Sequence, residues 1–108
     1  MDLARLDQMT EFALEVLAHG DPDRVRGLVR DLAQTYATES ALAIAFALTS
    51  AASNLEDMVR DEAGVASRAY KMSALVAADI MAVQAMGRSD VKGQDLLHFW
   101  RRVDPYFL

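Results

Sequence analysis

The sequence predicts an all-α fold: a compact bundle of four main helices over about 2–19, 22–37, 40–62 and 65–86, with a short C-terminal helix over about 94–103. Three observations predict it. Apolar residues recur at helical spacing, no stretch alternates cleanly, alanine is the commonest residue and β-branched residues are sparse. Gly20, Gly64 and Gly87 each follow a helix-like run, where a left-handed C-terminal position favours glycine. The stretch Ser40 to Ala52 carries no charge and no strong helix breaker, and its apolar residues fall on every face. A helix of that kind must be surrounded.

At 108 residues, with 53% hydrophobic and 25% charged residues, the chain fits a single helical domain spanning 1–108. The absence of cysteine excludes disulfides, thiolate chemistry and Cys-ligated metal sites, and fits a reducing compartment. Met1 to His19 carries Asp2, Asp7, Glu11 and Glu15 and does not read as a signal peptide, so a cytoplasmic location is expected. The uncharged central run is shorter than the roughly 20 residues of a membrane-spanning helix, so no membrane partner is expected. A net charge of -5 argues against general nucleic-acid binding, which requires a concentrated positive surface.

The first helix is expected to start at Asp2, a good N-cap, and to bury Leu3, Leu6, Met9, Thr10, Ala13, Val16 and Leu17 on one stripe. Asp21-Pro22 is a strong start signal for the second, because Asp accepts from an unpaired backbone N–H and Pro suits the first helical position. Its stripe is Val25, Leu28, Val29, Leu32 and Tyr36, and the short link predicts an antiparallel hairpin with the first helix. A break is expected between Thr35 and Ser40, with Thr38 or Ser40 as cap. The third helix carries the central run on through Leu55, Met58 and Val59, although Ser53 and Glu56 form a competing capping box that would end it near Ala52. The fourth centres its apolar face on Val65, Met72, Val76, Ile80 and Val83, and Asp104-Pro105 closes the last. Covering the third helix on all sides calls for the C-terminal segment or a second copy of the chain, so a homodimer is expected.

Residues able to carry chemistry are few. Glu11, Glu15 and His19 share a helix face, but a solvated acidic row ending in a favourable C-terminal histidine explains them without a metal, as surface polarity explains Asp95 and His98. No cofactor or metal site is expected. Arg24, Arg26 and Arg30 interleave with Asp23 and Asp31 and read as a solvated face serving the acidic row of the first helix rather than as a phosphate site. Asp79 is the candidate buried polar residue, since Leu75, Val76, Ala82 and Val83 flank it on its helix. The C-terminal stretch gathers Phe99, Trp100, Arg101, Arg102, Tyr106 and Phe107, residue types enriched in binding hot spots, and these are the candidate partner or dimer contacts. The reading favoured for this stretch is a lid, because Leu96, Leu97, Trp100 and Val103 lie at helical spacing, and the two roles are compatible where the lid also forms the dimer contact.

There is no phosphate-binding glycine loop, G-x-S-x-G elbow or H-E-x-x-H pair, which lowers an enzyme assignment without excluding one. The function expected is protein–protein contact in a regulatory, adaptor or accessory role. The alternative is a small-ligand bundle with an apolar pocket near Asp79 lined by Met58, Met72, Met81 and Met86.

Overall fold

A computed structural model of the chain describes residues 2–58 and 64–108. Those residues form helices α1 (Leu3–His19), α2 (Pro22–Arg26), α3 (Leu28–Thr35), α4 (Ala41–Met58), α5 (Val65–Ala85) and α6 (Gly93–Arg102), which makes the fold an all-α bundle. The expected end of the central helix near Glu62, and Val59 within it, lie outside the described residues.

Local chemistry places the helix ends. The Asp2 carboxylate accepts from the Ala4 N–H at 2.9 Å and opens α1. Gly20 closes it at φ 70, with its N–H on the Val16 carbonyl. Asp21 caps α2 through the Asp23 N–H at 3.0 Å, and Pro22 takes the first position. Ser40 Oγ accepts from the Leu42 N–H at 3.3 Å at the start of α4.

Two expectations are corrected and one alternative is set aside. The helix expected over 22–37 is interrupted at Gly27, which ends α2 by donating its N–H to the Asp23 carbonyl and starts α3 by accepting from the Asp31 N–H. The apolar stripe continues across this break and conceals it. The first helix packs chiefly against α4, not against α2, because one and a half turns of α2 offer only Val25 to a shared core. The Ser53 capping box is unused: α4 runs unbroken to Met58, held by the burial of Ala51, Ala52 and Leu55 on both sides of that serine.

The helices form two layers. One holds α1, α4 and α5, with α4 in the middle, and α3 and α6 pack on each other and across it. The thin dimension of the molecule is 19 Å, about two helix diameters. The core between the layers is a single cluster that includes Met9, Leu17, Leu28, Leu32, Ile44, Leu48, Leu96 and Trp100. Helices α4 and α5 are antiparallel and touch through a short hydroxyl chain. Ser73 Oγ donates to the Ala45 carbonyl at 2.8 Å, so Thr49 is the donor in the 2.7 Å bond between Thr49 and Ser73.

The start of α6 is fixed against the end of α3. The N–H groups of Gly93 and Gln94, which have no partner inside their own helix, donate to the carbonyls of Glu39 and Ala37. The Asp95 carboxylate reaches back to the Lys92 N–H at 2.9 Å. The approach is so close that a Cβ at Gly93 would stand 2.8 Å from the Tyr36 carbonyl oxygen and 2.9 Å from that of Ala33. Both are backbone atoms and cannot swing aside. We therefore expect Gly93→Ala to destabilise the fold by about 1–3 kcal/mol in urea unfolding. Ala45→Leu and Ala47→Leu, which overpack the buried flanks of α4, should each cost a similar ~1–3 kcal/mol, read as a lowered denaturation midpoint with an unchanged m-value.

Candidate functional site

The C-terminal aromatics divide between interior and surface. Residues 96, 97 and 100 recur on one face of α6, and that face meets the core, so Trp100 is 0% exposed. The chain then turns after Arg102 and folds Phe107 back onto Trp100, with ring centroids 5.1 Å apart. Phe99, Trp100 and Phe107 are buried in the chain's own core, the placement expected of a lid. Arg101, Arg102 and Tyr106 remain exposed, and Tyr106 stacks edge-on against Phe107.

Asp79 is half-buried, and its partner belongs to the lid: Trp100 Nε1 donates to Asp79 Oδ2 at 2.9 Å. The pairing satisfies an indole N–H that has no access to water. Burial raises the Asp79 pKa above the ordinary carboxylate value, the Trp100 bond opposes that rise, and the nearby Asp104 charge adds to it. The methionines proposed to line a pocket with it do not converge: Met72, Met81 and Met86 border three different grooves, Met58 is exposed at the end of α4, and Asp79 lines none of the three.

The remaining polar candidates have local roles. His19 Nδ1 donates to the Glu15 carbonyl at 2.7 Å, and among the described residues no three His, Cys, Asp or Glu side chains are grouped to hold a metal. Asp95, rather than pairing with His98, caps α6 and holds Arg88 at 3.2 Å. Arg26 and Arg30 pair with Asp23 and Asp31 beside them, not with the acidic row of α1.

The surface that stands out is the outer face of α4. Helices α1 and α5 flank α4 and the α3–α6 layer covers its inner side, which leaves Leu42, Phe46, Thr49 and Ser53 facing outward at successive turns. Leu42 is 65% exposed and Phe46 52%, so the central helix is covered on three sides and not on all. Across the α4–α5 seam, Met81 is 68% exposed, and Leu42, Ala77, Ile80 and Met81 line a groove of about 380 Å³ whose other lining residues include Gln84 and Asp90. From Ser40 to Leu55 no side chain on α4 or its cap is charged. Farther along the seam the Tyr70 hydroxyl donates to Glu56, which raises the phenol pKa.

No protein-family model, curated protein or solved structure matches the chain. Among the described residues no helix is long and apolar enough to cross a membrane.

The Asp79–Trp100 pair can be separated into its bond and its charge. Asp79→Ala leaves the buried indole N–H without a partner and should cost about 1–3 kcal/mol of stability. Asp79→Asn keeps an acceptor but removes the titration. Because burial raises the folded-state pKa, the protonated carboxyl suits the fold better than the carboxylate. The stability of the wild type relative to Asp79→Asn should therefore be greatest below the ordinary carboxylate pKa and should fall as pH rises through the raised one. Urea melts of both proteins across the acidic range measure this.

Proposed function

We propose that this chain is a small cytoplasmic helical protein that works through protein–protein contacts in a regulatory, adaptor or accessory role, and that its outer α4–α5 face joins two copies. The observation that carries this reading is the exposure of Leu42 and Phe46 on a helix otherwise packed into the core. Large apolar side chains grouped on one uncharged face are the mark of an interaction surface.

A second copy suits the face better than a charged partner does. Nothing between Ser40 and Leu55 attracts or complements a charge, so the surface that covers it must itself be free of charge. The chain's own α4 face meets that condition, with Asp90 the one charged residue lining the adjoining groove, and a two-fold contact uses the same patch twice. The net charge of -5 makes copies repel elsewhere, and a contact centred on the uncharged α4 face keeps the number of opposing carboxylates low. The role is one of surface presentation and involves no bond-making step.

Sedimentation equilibrium and light scattering test the reading. The wild type should be a dimer. Phe46→Glu and Leu42→Glu should each weaken it at least about a hundredfold, since like charges brought together across an interface cost several kcal/mol. Helical circular dichroism should be unchanged, because both positions already face solvent. A wild-type monomer at high micromolar concentration, or a Phe46→Glu dimer as tight as the wild type, would overturn the proposal.

A further inference from the structure

A second surface, chemically opposite to the first, lies where α5 meets α2 and the C-terminal turn. Arg68, Lys71, Met72 and Leu75 repeat at i, i+3, i+4 and i+7 and so share one face of α5. Opposite them stand Arg26 of α2 and Tyr106 and Phe107 of the turn, and together these seven residues line a groove of about 350 Å³. Its floor is thioether, aliphatic and aromatic, and its rim carries three cations. Among the described residues, no carboxylate stands within ion-pair distance of Arg68 or Lys71, and the Asp23 partner of Arg26 is itself solvent-exposed. In a chain with 16 acidic and 11 basic residues, three converging cations, two of them without a carboxylate partner among the described residues, form a local reversal of charge.

The groove does not end at Phe107. A second depression of about 390 Å³ shares Arg26, Tyr106 and Phe107 with it and continues past Asp23, which pairs with Arg26, and past Gly27 and Arg30 to Leu108. Two adjoining depressions make a trough, which suits an extended chain better than a compact molecule. We propose that this trough binds an acidic peptide segment of a partner protein, with carboxylates on Arg26, Arg68 and Lys71 and an apolar or aromatic side chain laid on Met72, Leu75 and Tyr106. Charge complementarity selects the acidic groups, since Arg68 and Lys71 on the α5 side and Arg26 opposite them are the charged residues that line the groove. The exposed Tyr106 ring, 71% accessible, and the stems of Arg68 and Lys71 supply apolar contact that an acidic chain without large side chains cannot use. Three cations along a concave trough are too few and too enclosed to serve a nucleic-acid backbone or a flat anionic membrane.

This inference is independent of the dimer. The probe is a fluorescein-labelled peptide, Glu-Glu-Leu-Glu-Phe-Glu, titrated with the full chain and followed by fluorescence anisotropy. Saturable binding is expected, weakened at least about tenfold by the double variant Arg68→Glu/Lys71→Glu and by replacing the Leu and Phe of the peptide with Ser. Phe46→Glu should leave peptide affinity within about twofold, which separates this result from the fate of the α4–α5 contact. Circular dichroism of the double variant should match the wild type, as both side chains are exposed, and the peptide substitutions test the site in the unaltered protein. No saturable binding, equal affinity of the double variant, equal affinity for the Ser-substituted peptide, or binding of phosphatidylglycerol vesicles with none of the peptide would overturn the proposal.

Discussion

The close packing of α4 between α1 and α5 is the constraint on which the rest of the structure depends. Helix separation is set by the side chains at the contact. Ala41, Ala43, Ala45, Ala47, Ala51 and Ala52 are all buried, while the large buried residues Ile44, Leu48 and Leu55 are spaced for the interlayer core. Alanine loses no side-chain entropy on burial, so the central helix meets several neighbours at little conformational cost. The same proximity brings Ser73 within 2.8 Å of the Ala45 carbonyl, so the closest part of the α4–α5 seam is fixed by a hydrogen bond as well as by packing.

The second layer depends on a different kind of closeness. The carbonyls of Ala37 and Glu39, in the turn that follows α3, receive the N–H groups of Gly93 and Gln94, left over as α6 begins. The turn after α3 thus satisfies the start of α6, and only a residue without Cβ lets them meet. From this fixed start α6 directs Trp100 into the core, where Asp79 accepts its indole proton. The lid is therefore located at both ends, by backbone bonds at Gly93 and by a buried side-chain bond at Trp100.

Features with a local cause were legible in the sequence. Asp2, Gly20, Asp21-Pro22 and Ser40 mark helix ends through bonds to residues no more than four positions away. Periodicity served less well where the signal was continuous. The stripe from Val25 to Tyr36 hid the interruption at Gly27, and the Ser53 box lost to the burial of its neighbours. Because α4 is apolar on every face, spacing grouped Leu42 with Phe46 but could not identify theirs as the face left open. Asp79 was conspicuous among apolar neighbours, whereas Trp100, its partner, stands 21 residues further on and no spacing rule connects the two. The basic trough was hidden for the same reason, since Arg26, Arg68 and Tyr106 come from three separate elements.

The two surfaces share α5 without competing for it. Arg68, Lys71, Met72 and Leu75 form one stripe, and Ala69, Ser73, Val76, Ile80 and Val83 turn into the core. Ala77 lies nine residues after Arg68, about two and a half turns at 3.6 residues per turn, which puts it and Met81 on the side of the helix away from the cations. A contact made by Leu42, Phe46 and Met81 consequently leaves the trough open. Two copies joined through that contact would present two troughs on one particle, and a partner with two acidic segments could engage both, gaining avidity without any new contact within either trough. The uncharged face and the cationic trough would then have complementary tasks: one fixes how many copies are held together, and the other determines what they hold.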